Sequence, residues 1–187
     1  MGGGIVLPSR RGVQQGDPLG PALFALAVHE AILEARAEVG RQLPDQLDFV
    51  SFYLDDGVIA GTAEAVRAFC DTLSSELLLI GLDVSFSKSE VIPTAGGDSD
   101  IDPSLFQEFG WNSSDGFELL GAPFGCEAFC TAHTLERKAK AEVLLAKLAD
   151  LDHAQGAFLI LKQCGGFCRL AYSVRTTPPN LQREALV

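Results

Sequence analysis

Long apolar runs are absent from this sequence of 187 residues. No run approaches the ~20 residues that a membrane-spanning helix needs. The N-terminal Met1-Gly2-Gly3-Gly4 is not followed by the apolar stretch of a signal peptide. We therefore expect a soluble intracellular protein, nuclear or cytoplasmic, with no membrane partner. The five cysteines are an odd number in a chain large enough to fold without disulfides, so reduced thiols are expected.

Basic residues are also scarce, since 14 Lys and Arg stand against 25 Asp and Glu, for a net charge of −11. That total argues against indiscriminate binding of polyanions, because phosphate-binding proteins usually present excess Lys and Arg. The deficit is uneven along the chain. Residues 1–136 hold 6 basic and 21 acidic side chains (−15), whereas residues 137–187 hold 8 and 4 (+4). The basic segment is local and C-terminal.

The apolar content of 47% is sufficient for a real core. Pro21 and the apolar residues that follow it predict a helix over residues 20–39, with Gly40 just after its end. Two β-prone runs, 49–53 and 57–60, predict a hairpin whose connection holds two acids. A second helix is predicted from a Thr62 cap to Gly81. Its apolar stripe consists of Val66, Phe69, Cys70, Leu73, Leu77 and Ile80.

The next segment is less regular. Residues 82–86 and 91–92 suggest a further strand near Lys88, and the polar stretch 94–104 indicates a loop. Residues 117–125 predict a second hairpin, in which Pro123 restricts its arm to a sheet edge.

From His133 onward the pattern becomes helical, and another helix is predicted over residues 154–175, ending before Pro178-Pro179. The fold class expected is α+β: an antiparallel sheet with two helices on one face, followed by a helical segment.

Asp55 and Asp56 are adjacent acids at a hairpin tip, where like charges repel unless a cation lies between them. Mg²⁺ accepts carboxylate oxygens and substrate phosphates, and two such ions can stabilise the attacking and leaving oxygens of phosphoryl transfer. The alternative is an ordinary turn, because Asp and Gly are common turn residues and Gly57 follows.

The flanking residues carry a resemblance to a family. Tyr53-Leu54-Asp55-Asp56 between two apolar β runs resembles the catalytic hairpin of reverse transcriptases, which are RNA-directed DNA polymerases. Residues 12–24 (GVQQGDPLGPALF) resemble their preceding loop and helix, and residues 81–90 their lysine-bearing motif. Leu119-Leu120-Gly121 resembles their primer-grip hairpin. Toward the end of the chain, Gln155-Gly156-Ala157, Cys164 and residues 172–179 look like the thumb of non-LTR retrotransposon enzymes.

The resemblance implies a partial polymerase palm over residues 1–130 and a helical thumb-like segment over residues 131–187. The implied chemistry is nucleotidyl transfer. Asp55 and Asp56 would ligate Mg²⁺ or Mn²⁺, and Lys88 would protonate or neutralise the departing pyrophosphate. The plainer alternative for Lys88 is a solvated lysine at a strand end.

The implied partners are an RNA template, a DNA primer and a dNTP. Gln15, Gly16 and Tyr53 would contact the templating base and incoming nucleotide, although Gly16 also suits an ordinary turn before a helix. Leu120 and Gly121 would position the primer 3′ end. The helix over residues 133–149 would contact backbone phosphates, unless it is an ordinary exposed face. Its candidate residues are Arg137, Lys138, Lys140 and Lys147.

The family's pattern also includes an aspartate ahead of the Gln15-Gly16 motif, and the first fourteen residues here contain no Asp or Glu. We therefore expect a C-terminal fragment of the family's domain, inactive as a polymerase by itself, with a missing N-terminal half as a possible partner. Half of a split enzyme and a domesticated nucleic-acid-binding module remain alternatives. A protein that interacts with no nucleic acid would leave the ordered motifs unexplained.

Cysteine and histidine residues suggest little chemistry of their own. Cys126 and Cys130, like Cys164 and Cys168, are spaced four apart, which suits a zinc site but more commonly an apolar helix face. The three histidines, at positions 29, 133 and 153, are expected to be structural.

Overall fold

The computed structural model describes residues 12–13, 16–94, 101–112, 115–165 and 168–185, without the side chains of residues 164, 165, 168–170 and 184. The chain divides into two compact units, Met1–Trp111 (unit 1) and Asn112–Val187 (unit 2). Across the described ranges, no helix combines the length and apolarity needed to cross a membrane. Helices and small sheets occur together, which confirms the α+β class.

Unit 1 consists of two long helices, one hairpin and several short elements. In chain order these are α1 (Gly20–Gln42), β1 (Leu47–Tyr53), β2 (Asp56–Gly61), α2 (Ala63–Leu79), a 3-10 helix (Phe86–Lys88), β3 (Glu90–Val91), a second 3-10 helix (Pro103–Phe106) and β4 (Gly110–Trp111). β1 pairs antiparallel with β2, and β3 pairs parallel with β4.

The core of unit 1 lies between the two helices and one face of the hairpin. Val50 and Phe52 of β1 and Ile59 of β2 pack against it, while Phe49 and Tyr53 of β1 are exposed. This alternation is the period of two expected of a half-buried strand. The buried core residues are Val28, Ala31, Ala35, Val39, Ala65, Phe69, Leu73 and Leu77. The prediction of two helices on one face of the sheet is confirmed.

Helix α2 begins and ends where the sequence predicts. The Thr62 hydroxyl accepts a hydrogen bond from the Ala65 amide at 3.3 Å. At the other end Gly81 has φ 80°, and the Leu82 amide donates to the Leu77 carbonyl at 3.0 Å. This closure satisfies carbonyls that the end of a helix leaves free.

Three expectations for unit 1 are wrong. Gly40 lies inside α1, because Arg41 and Gln42 bond back to Glu38 and extend the helix. Ile80, placed in the apolar stripe of α2, is exposed because it follows the last helical residue. Residues 82–85 form no strand: the Leu82 amide donates back to Leu77 at the end of α2, and the Val84 and Ser85 carbonyls accept from the Phe86 and Lys88 amides. Among the described residues nearby, Glu90–Val91 forms a strand.

Unit 2 starts with the second predicted hairpin and continues as helices. Its elements are β5 (Gly116–Leu119), β6 (Ala122–Gly125), α3 (Glu127–Ala149), α4 (Ala154–Ile160), a π-helical turn (Leu161–Gly165), α5 (Cys168–Thr176) and two 3-10 helices (Pro179–Leu181 and Arg183–Ala185). The hairpin pairs antiparallel, with Leu119 opposite Ala122.

Two helix boundaries in unit 2 differ from the prediction. α3 begins at Glu127 rather than near His133, since Cys126 takes an extended conformation and serves as the N-cap. The helix predicted over 154–175 changes to π-helical geometry at Leu161, so that α4 and α5 are separate elements. The helical region does end before Pro178-Pro179.

Candidate active site

The two aspartates lie at the tip of the β1–β2 hairpin. Leu54 and Asp55 form the turn, and Asp56 is the first residue of β2, opposite Tyr53. Leu54 has φ 57°, a left-handed conformation that costs a residue with a side chain about 1–2 kcal/mol. Both carboxylates and the Tyr53 ring are exposed. The tip therefore presents two carboxylates and an aromatic ring to solvent.

The hairpin behind this tip is held by close packing. The Phe52 ring lies 6.4 Å, centre to centre, from the buried ring of Phe69 on α2. A Cβ on Gly57 would overlap the Phe52 ring, so only glycine fits at this position. Sequence reasoning treated Gly57 as a turn residue and missed this role. The sequence feature that pointed to this packing role was a glycine directly after Asp55 and Asp56.

The base of the hairpin is closed by Thr62 and Gln46. The Thr62 amide donates to the Gln46 carbonyl at 2.9 Å, and the Thr62 hydroxyl donates to the Gln46 side-chain oxygen at 3.0 Å. A Cβ on Gly61 would overlap the Gln46 carbonyl, which again requires glycine. The position of the tip is thus fixed by the core and by its own base.

The donor chemistry of the tip suits a hard divalent cation. Mg²⁺ is commonly bound by one or two carboxylates, with water and substrate phosphates in its other positions. Asp55 and Asp56 provide two such carboxylates next to each other. In the part of the chain that the structure describes, no three His, Cys, Asp or Glu side chains group closely enough to hold a metal ion. The tip therefore offers part of a ligand shell.

Gly16 lies in the turn that leads into α1. It is exposed with φ 92°, and a Cβ on it would meet no atom within 4 Å. The next residue, Asp17, accepts a hydrogen bond from the Leu19 amide at 2.9 Å and so fixes the start of the helix. Gln15 lies outside the described residues.

Lys88 is the last residue of the 3-10 helix Phe86–Lys88 and is exposed. Its segment is anchored by Phe86, whose ring lies 5.0 Å from that of Phe109. The Arg67 guanidinium of α2 lies over both rings, at 5.7 and 5.9 Å from their centres. Asp71 binds the same guanidinium and raises the pKa of Arg67.

Arg67 was not predicted as part of the site. Its guanidinium also donates to the Leu105 carbonyl at 3.1 Å, which ties α2 to the segment after residue 101. Sequence reasoning missed this role, since no short-range pattern links residue 67 to residues 86, 105 and 109. The available signal was the i,i+4 spacing of Arg67 and Asp71 on α2.

Unit 2 brings together the residues predicted to grip a primer. Leu120 and Gly121 form the turn of the second hairpin, with φ 50° and 80°. An Arg137 nitrogen lies 3.1 Å from where a Cβ on Gly121 would be. The Tyr172 hydroxyl donates to the Leu120 carbonyl at 2.7 Å.

The other predicted basic residues differ in their surroundings. Lys140 pairs with Glu136 at 2.5 Å and lowers the pKa of that carboxyl. Lys147 is exposed in the last turn of α3, and Lys138 is half-buried. Among the described side chains, no carboxylate lies within 4 Å of the nitrogens of Arg137, Lys138 or Lys147. These three cations are therefore available to an external anion.

The cysteines and histidines have mostly structural surroundings. Cys126 is exposed and Cys130 is buried, and burial raises the pKa of the Cys130 thiol. The side chains of residues 164 and 168 are not described, so zinc binding there stays a prediction. His153 caps α4 by accepting a hydrogen bond from the Gly156 amide at 2.8 Å. His133 lies 3.0 Å from the Glu118 carboxylate.

A family model described as reverse transcriptase (RNA-dependent DNA polymerase) matches residues 3–126 of the 187. The chain belongs to the reverse transcriptase family. The resemblance carried by its motifs is thereby confirmed at the level of the family. Reverse transcriptases act on a nucleic acid template and primer and generally use divalent metal ions. No curated protein and no solved structure matches the chain significantly.

The match to the reverse transcriptase family covers both hairpins and the Lys88 segment, whereas the basic residues of α3 lie beyond it. Within unit 1, Tyr53, Asp55 and Asp56 share one hairpin tip. Within unit 2, the turn at Leu120 and Gly121 lies against Arg137.

Proposed function

We propose that this chain is the C-terminal part of a non-LTR-type reverse transcriptase domain, with a partial palm over residues 1–130 and a thumb-like segment over residues 131–187. Its chemistry is metal-dependent nucleotidyl transfer from a dNTP to a DNA primer on an RNA template. The observation that carries the proposal is a pair of exposed carboxylates at the tip of a hairpin that is fixed from behind, within the segment that matches the family.

Asp55 and Asp56 hold Mg²⁺ or Mn²⁺ in this proposal. When bound, the ions supply charge stabilisation for the attacking and leaving oxygens. The fixed hairpin contributes positioning, which is most of what a protein supplies in phosphoryl transfer. Tyr53, exposed beside the carboxylates, contacts the nucleotide, and we assign Gln15 and Gly16 to the templating base and the incoming nucleotide.

The ammonium of Lys88 neutralises the pyrophosphate as it leaves. The packing of Arg67 on Phe86 supports the short 3-10 helix that carries Lys88. In unit 2 the turn at Leu120 and Gly121 contacts the primer end. The phosphates of the duplex are contacted by Arg137, Lys138, Lys140 and Lys147.

The 187 residues alone are expected not to extend a primer. The family's pattern places another aspartate ahead of the Gln15-Gly16 motif, and no Asp or Glu occurs in the first fourteen residues. Two carboxylates retain a metal more weakly than three and fix its geometry less well. A segment or partner chain that carries the third carboxylate would complete the site.

A second candidate function is nucleic-acid binding without catalysis, as a split or domesticated module. The observation in its favour is the balance of +4 over residues 137–187, against −15 before them. Such a module would bind RNA or DNA with strong salt dependence. Its affinity would survive the replacement of Asp55 and Asp56 by Asn and would fall when Lys138 and Lys140 are replaced by Gln.

The test is primer extension on a homopolymer RNA template with Mg²⁺ or Mn²⁺. The chain is compared with its Asp55→Asn, Asp56→Asn variant and with Asp45→Asn, Asp48→Asn as a control. The control removes two exposed carboxylates from the other end of the same hairpin. We expect no incorporation by any of the three proteins.

An added N-terminal reverse transcriptase segment that carries the third aspartate should restore nucleotide incorporation by the chain and by the Asp45→Asn, Asp48→Asn control. The Asp55→Asn, Asp56→Asn variant should stay inactive. Incorporation by the unaided chain that Asp55→Asn, Asp56→Asn abolishes would overturn the expected inactivity. Incorporation that survives Asp55→Asn, Asp56→Asn would refute the assignment of the site itself.

A further inference from the structure

One hydrogen bond joins two parts of unit 2 that lie 52 residues apart in sequence. The hydroxyl of Tyr172, on α5, donates to the carbonyl of Leu120 at 2.7 Å. Leu120 and Gly121 form a two-residue turn in which both have positive φ. Such a turn favours Asn or Gly at its first position, and Leu is strained there. The tyrosine therefore stabilises a turn that its own sequence does not favour.

The same turn lies against a cation. An Arg137 nitrogen is 3.1 Å, and a Tyr172 ring carbon 3.6 Å, from where a Cβ on Gly121 would be. The absence of a side chain at Gly121 lets the guanidinium approach the turn this closely. Glu118 is also nearby, but its carboxylate is bonded to His133 at 3.0 Å.

Arg137 has no carboxylate within ion-pair distance among the described side chains, although it lies near enough to Glu136 to help lower the pKa of that carboxyl. Its guanidinium N–H groups can therefore still meet an external anion. A guanidinium suits a phosphate because its parallel N–H groups match two phosphate oxygens. The turn and the guanidinium form one surface only while the turn keeps its conformation, and the Tyr172 hydroxyl bond fixes that conformation.

We propose that Tyr172 is a positioning residue for the primer: its hydroxyl holds the Leu120–Gly121 turn beside Arg137, and this joint surface receives the sugar-phosphate at the primer 3′ end. The inference rests on the proposed function and deepens it. It assigns a role to a residue of α5 beyond the segment that matches the family. Tyr172 itself makes no chemical step.

The test is the affinity of the 187-residue chain for two labelled duplexes, measured by fluorescence anisotropy. One is an RNA template with a recessed DNA primer, and the other is the same hybrid with blunt ends. Tyr172→Phe removes only the hydroxyl. Thr176→Val is the matched control, because it removes a hydroxyl from the same helix whose bond among the described residues is to the Tyr172 carbonyl, at 2.8 Å.

The wild-type chain should prefer the recessed duplex. Tyr172→Phe should weaken that binding roughly three- to tenfold, the range expected from one hydrogen bond. Its affinity for the blunt duplex should not change, and Thr176→Val should match the wild type on both. Thermal unfolding of each variant checks that the fold is kept.

A second measurement needs no variant. A 4-thiothymidine as the last primer nucleotide should cross-link, on irradiation, to the peptide containing residues 116–125. A cross-link elsewhere in the chain would overturn the inference.

Two failures are distinguishable. Wild-type chain that binds neither duplex would contradict the proposed function, and this inference with it. Wild-type chain that prefers the recessed duplex, together with a Tyr172→Phe variant that binds it equally well, would overturn the positioning role alone.

Discussion

The two hairpins of this reverse transcriptase family member place a leucine with positive φ at the same turn position, yet they are stabilised differently. The Leu54 turn is fixed from behind, by the core under Phe52 and by the closed base at Gln46. The Leu120 turn is held at its tip by the Tyr172 hydroxyl and lies close to Arg137. A tip with exposed carboxylates suits a cation and a substrate, whereas a supported tip suits a surface that holds a polymer.

The largest effect should come from the core behind the first hairpin. Phe69 is fully buried and packs on Phe52, so Phe69→Ala should destabilise unit 1 by about 3–5 kcal/mol. Urea unfolding measures this change, and hydrogen exchange should show faster opening of β1 and β2. Unchanged exchange in the first hairpin would contradict the account of how its tip is fixed.

A pH experiment probes the same core. Burial raises the pKa of the Cys70 thiol from 9.0 to about 11, so the folded state keeps its proton in a range where the unfolded chain loses it. Unit 1 should therefore lose about 2 kcal/mol of stability as pH rises from 9 to 11. Denaturation at several pH values should show a shallower dependence in Cys70→Ala. Cys126→Ala, which removes an exposed thiol, should match the wild type.

Arg67 links this core to the Lys88 segment. Arg67→Met keeps the aliphatic stem but loses the bonds to Asp71 and Leu105 and the contacts with two rings, so we expect a loss of about 1–2 kcal/mol. Hydrogen exchange should increase around residues 86–91. Arg36→Met, on the exposed side of α1, is the control and should change stability by less than about 0.5 kcal/mol. Equal effects of the two substitutions would refute the anchoring role.

The smallest expected change in stability comes from replacing either of two glycines, Gly121 and Gly40, by alanine. Gly121→Ala adds a Cβ at φ 80° and 3.1 Å from Arg137, so unit 2 should lose about 1 kcal/mol. Gly40→Ala lies inside α1 with no atom within 4 Å of the new Cβ, and it should stabilise unit 1 by about 0.5–1 kcal/mol. Opposite signs in thermal unfolding would support the account, and equal signs would contradict it.

Local sequence signals were sufficient for the elements that local interactions determine. Thr62 and Gly81 set the ends of α2, and the acids between two β runs located the first hairpin. These signals failed where tertiary contacts determine the local conformation. Residues 82–86 contain β-prone side chains but are held by Phe86 against Phe109 and Arg67. The tie between Tyr172 and Leu120 spans 52 residues, and no periodicity reveals it.

The central claim is that Asp55 and Asp56 hold a divalent metal ion, and Mn²⁺ tests it most directly. Substoichiometric Mn²⁺ added to ¹⁵N-labelled chain broadens the amide signals of residues close to the ion. The account predicts broadening centred on residues 53–57 that Asp55→Asn, Asp56→Asn abolishes and Asp45→Asn, Asp48→Asn leaves in place. Broadening that is spread over the acidic surface of unit 1, or that survives the loss of Asp55 and Asp56, would contradict it.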